Sequence, residues 1–284
     1  ARIRGVLLTG AVRGSPSALT LARTALAEVR AAGKPVLAYY GAPDERALWL
    51  GSAADELWME PLAEVQFDGL ALEIPYFGEA LARYGVEMQV TRVGKYKSAV
   101  EPYILGHMSA ENREQLQGVL GDMERTLYGD IAGARDIGPA ELRAANESGW
   151  LTPEQAIELG LVTRAAPYRE LLARLREITG VGEDEEVPQV ALRDYAADVW
   201  QNGSASGRGV LVIVAEGEIV DGTSENEIGG DDLARALRSA RLDDSVAAVV
   251  LRVNSPGGSA TASDVIRAEV LALREAEKPL IVSM

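Results

Sequence analysis

Two short stretches of this sequence hold residue types at spacings that could do chemistry. The first is "RVGKYKSAVEPY", Arg92 to Tyr103, which sets Lys95 and Lys97 on either side of Tyr96 directly after an apolar, strand-like run. A lysine at a strand end is ordinarily solvated. Beside small residues and a Glu-Pro pair it can instead be held in a pocket, where loss of water lowers an amine's pKa from near 10.4 and makes it a usable base. The second is "VVLRVNSPGGSATASDVIRAEV", Val249 to Val270. An apolar strand ends there at Val253, Pro256 fixes φ, and Gly257 and Gly258 permit backbone conformations that other residues resist. With no side chains in the way, a ligand can approach the main chain. The backbone N–H groups then stand free at the C-terminal end of a parallel strand, beside a helix N-terminus. Open α/β sheets bind ligands there, and such N–H groups can form an oxyanion hole. A plain strand-to-helix loop and a phosphate site are the competing readings. The glycine spacing fits neither a P-loop nor a Gly-x-Gly-x-x-Gly fingerprint.

Composition narrows the choices. The chain has 284 residues, enough for one large domain or two ordinary ones. Its hydrophobic share of 47% and charged share of 25% are those of a soluble globular protein. A formal net charge of -15 argues against nucleic acid as a partner, because phosphate binding needs a basic face. The absence of cysteine excludes disulfides, thiolate zinc sites and a cysteine nucleophile. The single histidine, His107, would have to serve any Ser-His-Asp enzyme, but its place in "ILGHMS" reads as a surface or packing position. No apolar stretch approaches the roughly 20 residues of a membrane-spanning helix. The chain opens on the strand-like "ARIRGVLLTG" without a signal-peptide pattern and closes in "KPLIVSM", which reads as a buried strand. The sequence is therefore expected to be a fragment of a longer one.

The elements that must position these groups form a repeated pattern. "AEVRAAGKPVLAYY" resembles "LALREAEKPLIVSM", with Lys34 and Lys278 separated by 244 positions. The same offset pairs Gly14-Ser15 with Gly258-Ser259, Arg23 with Arg267, and Val6-Leu7 with Val250-Leu251, without a gap. Each copy reads strand, glycine-containing turn, helix, Lys-Pro, strand, which is a βαβ unit and implies a parallel sheet. Between the copies the patterning predicts a strand in "DELWMEP", a helix over Phe77 to Tyr84 and an alternating strand in "VEMQVTRV", Val86 to Val93. It then predicts a long helix from Ser109 to about Arg135, another from near Pro139, and a last one over Tyr168 to Thr179. In "LTPEQAIELGLV", Thr152 is an N-cap, Gln155 completes a capping box and Gly160 is the stop. "GVGEDEEVPQ", Gly180 to Gln189, reads as an acidic linker, and "QNGSASGRG", Gln201 to Gly209, as a loop. A new strand begins in "VLVIVAEGEIV", Val210 to Val220. The expected organisation is α/β: a first repeat over residues 1–179, a linker over 180–208 and an incomplete second repeat over 209–284.

The two stretches "LRVNSPGGSATASDVIRAE" and "GKYKSAVEPY" together resemble the signal peptide peptidase A family, the S49 serine peptidases of the ClpP/crotonase superfamily. The likeness is close in these motifs and extends more loosely over nearly the whole chain. It implies tandem ClpP/crotonase-like repeats and a Ser-Lys dyad built from both of them. Lys97 matches the family's general base, whereas Lys95 matches a variable position. Gly258 matches the glycine whose N–H helps form the oxyanion hole. Gly257 and the following Ser259 and Ala260 match the substrate-binding segment, the latter two as a strand edge that pairs with an extended peptide. The reaction implied is endoproteolysis of cleaved signal peptides and similar apolar segments, with no cofactor and no metal. The family further implies a ring-like homo-oligomer and a bacterial membrane association, catalytic part outside the cytoplasm, through a segment not in this chain.

One departure stands out. The family's nucleophilic serine sits in an Ala-Ser-Gly-Gly turn shortly after the strand that here ends at Met284. The first repeat reaches the equivalent place at "GAPDERALW", with Arg46 near the expected serine position. Ser255, Ser259, Ser263 and Ser283 read as turn, cap or strand residues, and the nucleophile is expected just beyond Met284. Two alternatives remain: a crotonase-like enzyme acting on acyl-CoA thioesters, in which Lys97 has no role, and a peptide-binding scaffold without catalysis.

Overall fold

The run Val36–Tyr40 is apolar at every position, the pattern of a strand covered on both faces, and all five residues are buried. The computed structural model describes residues 3–202 and 207–284, and divides the chain into two compact units, one up to Gln189 and one from Val190. Residues 203–206 of the loop expected over Gln201 to Gly209 lie outside the described residues.

In chain order the first unit contains β1 (Val6–Thr9), α1 (Pro16–Ala31), β2 (Val36–Tyr40), α2 (Glu45–Ser52), β3 (Glu56–Met59) and β4 (Val65–Phe67). It continues with α3 (Gly78–Arg83), α4 (Glu101–Ile104), α5 (Ala110–Arg135), α6 (Pro139–Glu147), β5 (Gly149–Leu151), α7 (Pro153–Glu158), β6 (Arg164–Ala165) and α8 (Tyr168–Thr179). Its main sheet has the order β1-β2-β3-β6, and every neighbouring pair is parallel. The period-two pleat sends Val36, Ala38 and Tyr40 into a cluster with Leu19, Leu48 and Ile131, while Leu37, Tyr39 and Trp58 face Leu171 and Leu175 of α8. Val187 packs on that second face, so the acidic stretch after α8 is anchored to the core rather than free.

The second unit runs α9 (Leu192–Asn202), β7 (Gly209–Glu216), β8 (Ile219–Val220), β9 (Ile228–Gly229), α10 (Gly230–Leu242), β10 (Val246–Asn254), α11 (Ala260–Glu275) and β11 (Leu280–Ser283). The stretch 180–208, expected to be a linker, thus carries a helix. Its sheet is parallel, in the order β11-β10-β7. Val249 and Leu251 pack with Leu233, Leu237, Ile266 and Leu273. On the other face Val212 and Ile281 are exposed, and β11 is the outer strand of this sheet among the described residues. The strand expected over Val210 to Val220 is broken at Gly217, whose φ of 108° turns the chain between β7 and β8.

The two βαβ segments match closely but not without a gap. Ser15 and Ser259 cap helices of 16 residues each, at the offset the sequence implies. The preceding strands are out of step: Val36 pairs with Val6, but Leu280 pairs with Val249 and not with Val250. The strand-to-helix turn is therefore one residue longer in the second unit. A second correction concerns Val86 to Val93. It forms no strand, and Val93 is 86% exposed. Alternation specifies a strand only where a neighbouring strand takes up the backbone hydrogen bonds, and none lies alongside among the described residues.

The fully buried Leu57 on β3 measures how tightly the first unit is packed. Leu57→Ala is expected to lower that unit's stability by about 2–5 kcal/mol, read from urea unfolding followed by tryptophan fluorescence.

Candidate active site

The lysine stretch lies in the first unit as a turn leading into α4. Phe77 N–H donates to Pro102 O at 2.7 Å and Gly78 N–H to Leu105 O at 3.1 Å, which docks the start of α3 on α4. Gly78 must lack a side chain, since a Cβ there would lie 2.6 Å from Leu105 backbone atoms. The turn itself is held by Ser98 N–H to Tyr96 O at 3.0 Å and Glu101 N–H to Ser98 O at 2.9 Å.

Three cations belong to this turn, and two are matched to carboxylates. Lys95 Nζ lies 3.8 Å from Glu111 on α5, and Arg92 Nη1 lies 3.3 Å from Glu101. Tyr96 is tied to the same helix, donating to Glu114 at 3.1 Å. Lys97 is exposed, and its ammonium has no hydrogen bond or ion pair among the described residues. Glu101 is the opposite case, a carboxylate with no exposed surface. Burial by itself pushes its pKa up. Donors from the Ser109 side chain and backbone and from Arg92 outweigh that and hold the carboxyl below its ordinary value.

The glycine turn lies in the second unit, between β10 and α11. Gly257 and Gly258 have φ of 115° and 149°, the region that favours glycine. Gly258 forms a parallel bridge to Ile219 of β8. Ile219 N–H donates to Gly257 O at 2.8 Å, and Ser259 N–H donates to Ile219 O at 2.7 Å. A Cβ on Gly258 would fall 2.0 Å from the Ile219 oxygen. Gly258 is exposed, and its own N–H makes no hydrogen bond among the described residues. It is a free donor at the strand's C-terminal end, suited to a developing negative charge.

The serines of this region are otherwise engaged. Ser255 Oγ accepts from Gly257 N–H at 3.2 Å, Ser259 Oγ caps α11 and donates to Asp221 at 2.7 Å, Ser263 Oγ donates to Ser259 O at 2.7 Å, and Ser283 Oγ accepts from Arg252 at 3.0 Å. Ser259 and Ala260 do not form the expected strand edge. The Ser259 N–H is spent on β8, and Ala260 is the first residue of α11, because the serine's capping chemistry starts the helix at once. In the first unit Arg46 is exposed in the first turn of α2, behind the N-cap Asp44, and His107 is exposed. Reasoning from sequence passed over the roles of Arg92 and Ser109. The Glu-Pro pair at 101–102 is the one hint, since a glutamate beside the apolar Ala99, Val100 and Pro102 needs partners if it is buried.

The profile of Peptidase family S49 matches residues 28–182. The chain is 37% identical over 275 residues to "Protease 4" of Haemophilus influenzae, covering 92% of this chain and 44% of that protein. It is 36% identical to "Protease 4" of Salmonella typhi, covering 92% and 43% respectively. It is 29% identical to "Serine protease SPPA, chloroplastic" of Arabidopsis thaliana, covering 89% and 38%. The chain thus spans less than half the length of these relatives.

Two outcomes follow from the geometry. Because the folded pKa of Glu101 is depressed, its stabilisation is complete above the ordinary glutamate value near 4.3 and is lost as pH falls through the lower folded value. Urea midpoints measured from pH 7 down to pH 3 should therefore fall more steeply for the wild type than for Glu101→Gln. Equal slopes would contradict the assignment. Gly258→Ala is expected to cost roughly 1–3 kcal/mol and to raise hydrogen exchange at the Ser259 N–H, which the β8 bridge protects.

Proposed function

We propose, from the premise that this chain belongs to peptidase family S49, that it supplies the general base and part of the oxyanion hole of a serine endopeptidase. Its substrates are cleaved signal peptides and similar apolar segments. The observation that carries this reading is the unpaired ammonium of Lys97 in a turn where the other cations are tied to carboxylates. A carboxylate at contact distance would hold a lysine charged and useless as a base. An amine without one needs only the removal of water to titrate nearer neutrality.

The reaction then proceeds in balanced steps. Neutral Lys97 Nζ takes the proton of a serine hydroxyl, and the serine oxygen bonds to the scissile carbonyl carbon. The resulting oxyanion accepts the free Gly258 N–H. Collapse breaks the C–N bond, and the Lys97 ammonium returns its proton to the leaving amine. Neutral Lys97 Nζ then takes a proton from water, whose oxygen bonds to the acyl carbon; collapse breaks the ester C–O bond, and the Lys97 ammonium returns its proton to the serine oxygen. The attacking serine is assigned to an Ala-Ser-Gly-Gly turn following β11. Lys97 is exposed in the single chain, so the water-excluding surface is assigned to a neighbouring copy in a ring-like homo-oligomer. The paired βαβ segments are read as tandem ClpP/crotonase-like repeats. No helix among the described residues is long and apolar enough to cross a membrane; association with a bacterial membrane, catalytic part outside the cytoplasm, is assigned to a segment outside this sequence.

Peptidase assays on the full polypeptide test this reading. Lys97→Ala should lower kcat/KM by about 10²–10⁴-fold and abolish labelling by a fluorophosphonate, while Lys95→Ala should change either by no more than about threefold. Labelling that survives Lys97→Ala would remove lysine from the mechanism.

A further inference from the structure

The surroundings of Lys97 hold its backbone and leave its amine alone. A single nitrogen, Arg92 Nη1, donates to the Lys97 carbonyl at 3.1 Å and to Glu101 Oε1 at 3.3 Å. The Glu101 side chain is wholly buried. The same Oε1 accepts from Ser109 Oγ at 2.8 Å, and Oε2 accepts from Ser109 N–H at 3.3 Å. Ser109 is the N-cap of α5, a helix of 26 residues, so the chain of contacts from Lys97 ends on a long, fixed element. The remaining charged groups facing the turn are occupied: Glu111 is matched to Lys95 and Glu114 to the Tyr96 hydroxyl.

We propose that Arg92 and Glu101 are positioning residues for Lys97: together they fix the carbonyl of the turn from which the amine projects, and each cancels the other's charge beside it. This rests on the reading of Lys97 as the general base. The pair is asymmetric in what it prevents. Without Arg92, the buried Glu101 carboxylate would lose its cation, and the adjacent Lys97 ammonium would be drawn to replace it and held charged. Without the Glu101 charge, Arg92 would lose its anchor and leave an unbalanced positive charge next to the amine. A guanidinium suits the bridge because it is always charged and its planar N–H groups donate in fixed directions, whereas a lysine would reach the same two acceptors on a flexible stem.

The charge logic gives a test that loosening of the turn alone would not mimic. The lysines of the chain are Lys34, Lys95, Lys97 and Lys278. Reductive ¹³C-methylation gives each a resolvable NMR signal, assigned by single Lys→Arg substitutions and titrated with pH. Arg92→Gln should raise the Lys97 pKa by about 0.5 pH unit, and Glu101→Gln should lower it by a similar amount. The double variant should return towards the wild-type value. Arg92→Lys, which keeps the charge, should move it less than Arg92→Gln. A titration unchanged by Arg92→Gln, or moved in the same direction by both single variants, overturns the proposal. If Glu101→Gln does not fold, the contrast between Arg92→Gln and Arg92→Lys decides alone, and equal effects overturn it. The result is separable from the general-base reading. Activity that persists in Lys97→Ala full polypeptide sinks that reading without touching the titrations. An inactive Lys97→Ala with unmoved titrations in the Arg92 and Glu101 variants sinks only the clamp.

Discussion

A basic side chain next to a carboxylate stays charged, and a charged amine accepts no proton. The organisation of the first unit around the lysine turn follows from that constraint. The turn carries three cations within six residues, Arg92, Lys95 and Lys97, in a chain whose net charge of -15 offers carboxylates nearly everywhere. The nearby acids are taken up by Lys95 and by the arginine. Glu111 goes to Lys95 and Glu101 to Arg92, and the one ammonium left over is Lys97. The start of α5 supplies most of the acceptors and the cap that do this, through Ser109, Glu111 and Glu114. A helix that reads from sequence as plain scaffold is thus the template that sorts the charges of the turn.

In the second unit the glycine turn between β10 and α11 is held by backbone and hydroxyl contacts: Gly257 N–H donates to Ser255 and Ser259 N–H to Ile219. Gly258 N–H makes no hydrogen bond among the described residues, because its partner strand bonds the residues on either side of it. The approach of Ile219 leaves no room for a Cβ at Gly258. The glycine therefore answers a steric demand of the β8 bridge, and the free donor is its by-product.

Much of this was readable in advance because it depends on local rules. The capping box at Thr152, the helix over Tyr168 to Thr179 and the Lys-Pro strands follow from spacing and turn chemistry, and all are present. What failed depends on distant neighbours. "VEMQVTRV" has the alternation of a strand but no partner to make it one. The one-residue difference in the strand-to-helix turn is invisible to an ungapped match, because both strands are apolar and tolerate a slip in alignment. At the candidate site, Lys97 and Gly258 were marked by their motifs. Arg92, Glu101 and Ser109 act together only after α5 has folded back on the turn, and no spacing along the chain announces that.

The central claim is the proposed role of the unpaired amine of Lys97 as a general base. The most direct measurement is a crystal structure of the full polypeptide in its assembled state, with a peptidyl phosphonate bound covalently to its serine. The account predicts Lys97 Nζ within about 2.6–3.2 Å of the modified serine oxygen. A Lys97 side chain extended into solvent in every subunit would contradict it.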